Sequence, residues 1–138
     1  MQNLRYVGNN LCVEKLSIKN ILKKNKTPFY IYSESQIAFN FLKFANTFKK
    51  TEPLICFAAK SNSNLNILRV LGKLGAGADV VSGGELLKAL KAGIRPNKIV
   101  FSGVGKTEEE LKIAINKKIL LINCESDSEA KLVNNLSI

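Results

Sequence analysis

The chain has 138 residues, of which 46% are hydrophobic and 23% are charged, a composition typical of one globular domain. It contains no histidine, which excludes Ser-His-Asp and Cys-His catalysis, and Cys12, Cys56 and Cys124 form no Cys-x-x-Cys pair that would favour zinc. The net charge of +10 is spread along the sequence, so we expect no nucleic-acid partner. A polar N-terminus without a signal-peptide core, and no apolar run of roughly 18 residues, predict a cytoplasmic protein that does not enter a membrane.

The chain before residue 54 predicts two helices and one strand. Residues 17–22 favour a short helix, and residues 29–32, which are aromatic and β-branched, favour a strand after the break at Pro28. Apolar residues then recur at helical spacing to about residue 49. Ser33 at the start of this segment, with Gln36 three positions later, predicts a capping box.

From residue 54 onward, short apolar runs alternate with amphipathic segments. The runs predict strands at residues 54–59, 78–81, 98–101 and 119–122, and the segments predict helices at residues 64–74, 84–92, 107–116 and 126–133. Strands that alternate with helices through short connections predict a parallel sheet with right-handed crossovers. From periodicity alone, two architectures remain possible: an open doubly wound sheet and part of an eightfold barrel. Four strand–helix units would make up at most half of such a barrel.

Ligand sites of both architectures lie where the parallel strands end, and Lys60 ends the first strand. Because Lys60 follows six apolar or small residues, we expect it to be partly desolvated, which makes its neutral amine available for Schiff-base formation. Asp79, at the next strand end, could hold or orient that charge. The small residues 82–84 would let a ligand approach backbone N–H groups. From these residues alone, purely structural roles for Lys60 and Asp79 remain open.

Two motifs then point to one family. Residues 57–62, Phe-Ala-Ala-Lys-Ser-Asn, resemble the cofactor-lysine motif of the fold-type III pyridoxal-phosphate decarboxylases, with phenylalanine and serine where the family usually has tyrosine and alanine. Residues 79–86 reproduce the family's next signature, Asp-Val-Val-Ser-Gly-Gly-Glu-Leu, without a break. Residues 27–32, 101–107 and 123–126 match further segments, the last two in the form found in the diaminopimelate branch.

The resemblance implies a partial (β/α)8 barrel of the alanine-racemase-like type. Residues 1–33 would be an N-terminal segment, with a strand and a helix leading into the barrel, and residues 34–138 the first half of the barrel, with about four parallel βα units. Lys60 would be the catalytic residue that binds pyridoxal 5'-phosphate covalently, Asp79 would set the charge beside it, and Ser82 would contact the cofactor at the rim. No metal is implied.

The family also implies a reaction and partners. A small amino-acid substrate, meso-2,6-diaminopimelate, would be converted to L-lysine and CO2; an ornithine- or arginine-type decarboxylase fragment and a degenerate, non-catalytic pyridoxal-binding remnant are the alternatives. Full-length members are homodimers, and their later histidine, glycine-rich loop and C-terminal β-domain cannot be placed on this sequence. We therefore expect the chain to be inactive alone, to need a separately encoded second half, and to expose a strand edge at residues 119–122.

Overall fold

Two separate sheets organise the protein, whose computed structural model describes residues 3–138. An antiparallel sheet of three strands lies in the unit that ends at Thr47, and a parallel sheet of four strands lies in the unit from Phe48 to Ile138. The helix predicted from residue 34 belongs to the first unit. No helix within residues 3–138 is long and apolar enough to cross a membrane.

The first unit contains more strands than its sequence predicts. Its elements are β1 (Leu4–Val7), β2 (Asn10–Val13), β3 (Leu16–Ser17), α1 (Ile18–Leu22) and α2 (Glu34–Thr47). The predicted short helix is confirmed as α1, which begins after Ser17, whose side chain accepts a hydrogen bond from Asn20 N. The two hairpin turns contain residues with positive φ, Gly8 at 57° and Glu14 at 54°.

The strand predicted at residues 29–32 is wrong. Neither sheet of the described chain includes these residues, and the side chains of Tyr30 and Tyr32 are exposed. A strand exists only when its backbone groups pair with a neighbour, and an aromatic, β-branched run supplies the propensity without the partner.

The start of α2 shows half of the predicted capping box. Ser33 Oγ accepts a hydrogen bond from Gln36 N at 3.1 Å, as predicted, but the Gln36 side chain donates to Asn40 instead of turning back. Glu14 binds the same helix start in a different way, because its Oε1 accepts from Ser33 Oγ at 2.6 Å and from Ser35 N at 3.0 Å. These hydrogen bonds, chiefly that from Ser33, lower the pKa of the Glu14 carboxyl.

The second unit confirms the predicted alternation of strands and helices. Its strands are β4 (Cys56–Ala58), β5 (Gly77–Val80), β6 (Ile99–Phe101) and β7 (Leu121–Ile122), and its helices are α3 (Leu65–Lys73), α4 (Gly83–Lys91), α5 (Glu108–Asn116) and α6 (Asp127–Leu136). The strands pair in the order β4-β5-β6-β7, all parallel. This is the partial α/β barrel expected from the sequence.

The register assigns the two faces of the parallel sheet. Alternate residues on one face join the hydrophobic core with the helices, and the fully buried ones include Ala78, Val80, Ile99 and Phe101. The opposite face carries Ala58, Asp79, Val100 and Leu121, which stand side by side in register. We call this second side the inner face. At the edge strand β7, Leu120 and Leu121 are about half exposed, as expected for that edge.

Candidate functional site

The carboxyl ends of β4 to β7 meet at one edge of the sheet, and Lys60 lies at this edge. It sits in a single 3-10 turn, Ala59–Ser61, that directly follows β4. Ser61 Oγ donates to Ala58 O at 2.8 Å, and Asn62 N donates to Ala59 O at 3.1 Å, so the turn is closed on itself. Lys60 is exposed. The expected desolvation is therefore wrong for this chain, because the turn takes the lysine beyond the strand that β5 covers.

The segment after Lys60 is anchored to two helices. Asn62 Oδ1 accepts from Asn64 N at 3.0 Å, and Asn64 in turn caps α3 by accepting from Asn66 N at 2.9 Å. From α4, Lys88 Nζ donates to Ser63 Oγ at 2.9 Å. The backbone that carries Lys60 thus has defined contacts on both sides, although the amine itself faces solvent.

Asp79 lies on the inner face, paired between Ala58 of β4 and Val100 of β6. Lys60 follows Ala58 by two residues. It therefore lies just beyond the end of β4, the strand that neighbours Asp79. Within residues 3–138 the Asp79 Oδ1 is buried and accepts no hydrogen bond. Buried carboxylate oxygens are nearly always paired, so this oxygen fits a hydrogen-bond donor or a cation supplied by a ligand.

Ser82 and the glycines after it serve the helix that they begin. Ser82 Oγ accepts from Glu85 N at 3.2 Å as the N-cap of α4, and Val81 N donates to Glu85 Oε2 at 3.0 Å. The Gly83 N–H, which the sequence offers to a ligand, donates to Glu110 Oε1 at 2.7 Å. The cofactor contact of Ser82 stays a prediction.

Glu110 connects two neighbouring helix starts, and this gives a pH-dependent contribution to stability. The N–H groups of Gly83 and Thr107 hold the pKa of the Glu110 carboxyl below its ordinary value of about 4.3. A lowered folded-state pKa stabilises the fold above the unfolded-state value, and that stabilisation is lost as pH falls through the folded value. Glu110→Gln is therefore expected to be less stable than the wild type at pH 7, with a difference that shrinks below about pH 4. Urea unfolding at pH values from 7 to 3 measures the free energy of unfolding of the variant and the wild type. Glu109→Gln, a change at the exposed neighbour, is the control. A difference in the free energy of unfolding that does not vary with pH contradicts the prediction.

Further polar residues at this edge lie in segments 101–107 and 123–126, which match the family, whereas Glu129 was not singled out from the sequence. Asn123 Nδ2 donates to Ser102 Oγ at 3.0 Å, and Lys106 Nζ donates to Glu129 Oε1 at 2.8 Å. The spacing Ser/Thr-x-x-Glu occurs at the start of three helices and could have identified Glu129 as a capping residue. That its carboxylate also reaches Lys106, 23 residues earlier, has no local signal.

The cysteines and acids add no competing site. Burial, and secondly the charge of Asp79, raise the pKa of the half-buried Cys56 thiol, which disfavours the nucleophilic thiolate. Within residues 3–138 there is no group of three or more His, Cys, Asp or Glu side chains that could hold a metal ion.

The fold and the site together define a class: a partial α/β barrel with a lysine at the end of one strand and, on the neighbouring strand, a carboxylate whose buried Oδ1 has no hydrogen-bond partner among residues 3–138. This arrangement suits a cofactor held by a lysine amine. Comparison with protein families gives the same result, because the pyridoxal binding domain of the pyridoxal-dependent decarboxylases matches residues 34–137. The chain belongs to the pyridoxal-dependent decarboxylase family, and residues 34–137 are the part of it that matches the pyridoxal binding domain.

Individual relatives agree. The diaminopimelate decarboxylase of Aquifex aeolicus is 44% identical over 134 residues, which are 97% of this chain and 31% of that protein. The crystal structure of the M. jannaschii diaminopimelate decarboxylase in co-complex with L-lysine has a TM-score of 0.92 at 36% identity and covers 97% of this chain and 32% of its own. An arginine decarboxylase from Paramecium bursaria Chlorella virus, at 21% identity and a TM-score of 0.77, shares the fold. The chain thus spans about a third of the length of the relatives that it matches.

Proposed function

We propose that this chain is the pyridoxal-phosphate-holding part of a diaminopimelate decarboxylase, with Lys60 as the point of covalent attachment. The observation that carries the proposal is the buried, unpartnered Oδ1 of Asp79 on the strand next to the Lys60 turn. A carboxylate there fits a lysine amine or the charged ring of a cofactor, since either would supply the missing partner.

The residues present have distinct tasks. Lys60 supplies the amine, and its turn is fixed by Ser61 and by the contact of Lys88 with Ser63. Asp79 balances positive charge at the centre of the inner face, and Ser82 is proposed as a rim contact of the cofactor. Pyridoxal phosphate, when bound, supplies the electron sink for the loss of CO2 from an amino acid.

Diaminopimelate is the proposed substrate because the relatives of high identity carry that name. The bound L-lysine of the M. jannaschii relative is the product that decarboxylation of meso-2,6-diaminopimelate would form. An ornithine- or arginine-type substrate is less well supported, since the arginine decarboxylase matches at 21% identity and indicates the fold alone.

The remaining expectations stand as proposals. We propose the division at residues 33 and 34, a cytoplasmic location and a homodimeric complete enzyme. With about a third of the relatives' length, the 138-residue chain is expected to release no CO2 from diaminopimelate by itself. Manometric or isotopic CO2 assay of the purified chain measures this.

Attachment at Lys60 is tested by incubating the chain with pyridoxal phosphate, reducing with borohydride and mapping labelled peptides by mass spectrometry. We expect labelling at Lys60 to exceed that at other lysines several-fold, and to vanish in Lys60→Arg, because arginine keeps the charge but has no amine for imine formation. Lys73→Arg, an exposed change on α3, is the matched control and should leave the Lys60 label intact. Equal labelling of exposed lysines would contradict the proposal.

A further inference from the structure

A buried ammonium group lies at the same edge of the sheet but outside the residues assigned above. The side chain of Lys106, in the loop between β6 and α5, has 0% exposure. Burial of a lysine is costly unless its charge and its donors are matched. Here Nζ lies 2.8 Å from Glu129 Oε1 and 2.7 Å from Gly103 O, and 6.0 Å from the centroid of the Phe101 ring.

The partners of Lys106 come from two successive loops. Gly103 belongs to the loop after β6, whereas Glu129 is in the first turn of α6 and its second oxygen accepts from Glu125 N at 2.7 Å, in the loop after β7. The hydrogen bond from Lys106, and secondly that from Glu125, lower the pKa of the Glu129 carboxyl. One ammonium group therefore connects the loops that follow β6 and β7.

Two positions in the loop after β6 have backbone conformations that favour glycine. Gly103 and Gly105 have φ values of 100° and 74°, where residues with a side chain are strained. A Cβ at Gly103 would also lie 3.2 Å from the Cβ of Val81. The buried ammonium group of Lys106 donates a hydrogen bond to the carbonyl oxygen of Gly103. This bond and the close approach of Val81 hold the backbone at Gly103 from two sides.

Fixing the backbone at Gly103 also fixes the position of Ser102, the residue before it. Ser102 N donates to Val80 O at 2.8 Å, Asn123 N donates to Phe101 O at 2.9 Å, and Asn123 Nδ2 donates to Ser102 Oγ at 3.0 Å. Ser102 and Asn123 each follow an inner-face residue by two positions, which places them on the face that carries Asp79. Since Ser102 Oγ accepts from the amide, its own proton is free to be donated to a ligand.

We propose that Lys106 is a positioning residue of the cofactor site: it holds the loops after β6 and β7 together, so that Ser102 and Asn123 form a polar pair on the inner face. The Ser102 hydroxyl then donates to an oxygen of bound pyridoxal phosphate. This last step rests on the proposed function, whereas the positioning of the two loops does not.

The test separates positioning from stability with two variants of the 138-residue chain. Lys106→Met removes the ammonium group and leaves Glu129 without its charge partner, so it is expected to lose stability as well. Lys106→Met with Glu129→Gln removes both charges and keeps a side-chain oxygen to accept from Glu125 N, so no charge is left buried without a partner and the contact within the loop after β7 is retained. Lys112→Met is the control, because it breaks the exposed pair of Lys112 with Glu108.

Amide hydrogen exchange is the readout that needs no ligand. In the double variant we expect Ser102 and Asn123 amides to exchange about tenfold faster or more, while Tm stays near the wild-type value, because Gly103 O has lost its donor. Lys112→Met should leave both amides unchanged. Unchanged exchange at these two amides, or an equal rise throughout the second unit, overturns the positioning role.

Pyridoxal-phosphate titration is the second readout. Ser102→Ala and the double variant are each expected to weaken binding about tenfold, and their combination should weaken it no further, because they remove the same contact. If the wild type labels at Lys60 but these variants bind with unchanged affinity, the Ser102 contact is refuted while the proposed function stands. If the wild type does not label at Lys60, the proposed function and the ligand contact both fail, and hydrogen exchange alone decides the positioning role.

Discussion

Gly77→Ala is expected to lower the free energy of unfolding by about 3 kcal/mol, or to prevent folding of the second unit. A Cβ at Gly77 would lie 2.2 Å from Lys98 O and 2.8 Å from Cys56 Sγ. The first of these neighbours is the backbone of the residue just before β6 and cannot rotate away. Relief requires β5 to move from β4 or β6, which breaks the ladder that positions Asp79.

Urea unfolding of Gly77→Ala and Gly84→Ala provides the comparison. The Cβ of an alanine at Gly84, in the first turn of α4, would have Ser82 Oγ at 3.9 Å as its nearest neighbour, so this second variant should stay within about 0.5 kcal/mol of the wild type. Equal stability of the two variants would show that the close approach of β6 to Gly77 does not constrain the sheet.

Phe101→Ala is expected to cost about 3–5 kcal/mol, the range for deleting a fully buried aromatic side chain. Phe101 has 0% exposure and lies at the end of β6, within the core formed with Val80 and Leu86. Its removal leaves a cavity between sheet and helices and also withdraws the ring from beside Lys106. Thermal and urea unfolding measure the loss.

Leu87→Ala is the matched control for that substitution. Leu87 is on α4 next to the buried Leu86, but it is 50% exposed, so its truncation should cost well under half as much. A loss for Phe101→Ala as small as that for Leu87→Ala would mean that the core does not lie where the structure places it.

The parts of the fold that depend on local chemistry were predictable. Helix starts at Ser82, Thr107 and Ser126 follow from a hydroxyl that caps a nearby backbone N–H, which requires three residues and no tertiary contact. The four parallel strands were predictable from the four apolar runs for the same reason, although β4, β6 and β7 are shorter than their runs. Lys60 was a candidate because it follows the first run, and Asp79 because it lies in the second, on the neighbouring strand.

Other expectations failed because they depend on what lies beside a segment. Residues 29–32 have strand propensity, but no strand of the described sheets pairs with them. Lys60 follows an apolar run, yet the turn after β4 leaves it exposed. In both cases the sequence gives a local preference, for an extended strand or for a buried side chain. Whether a neighbouring segment satisfies that preference depends on the tertiary structure.

The amino-acid sequence by itself determined the order of the elements from residue 54 onward, the edge at which a ligand site lies and the lysine at that edge, because periodicity and capping act over a few residues. Only the tertiary structure decided which polar groups remain free for a ligand. It pairs the Gly83 N–H with Glu110, 27 residues away, joins Lys106 to Glu129 and leaves Asp79 Oδ1 buried without a hydrogen-bond partner in the described part of the chain. Such pairings depend on distances across the sheet edge, and no local pattern records them.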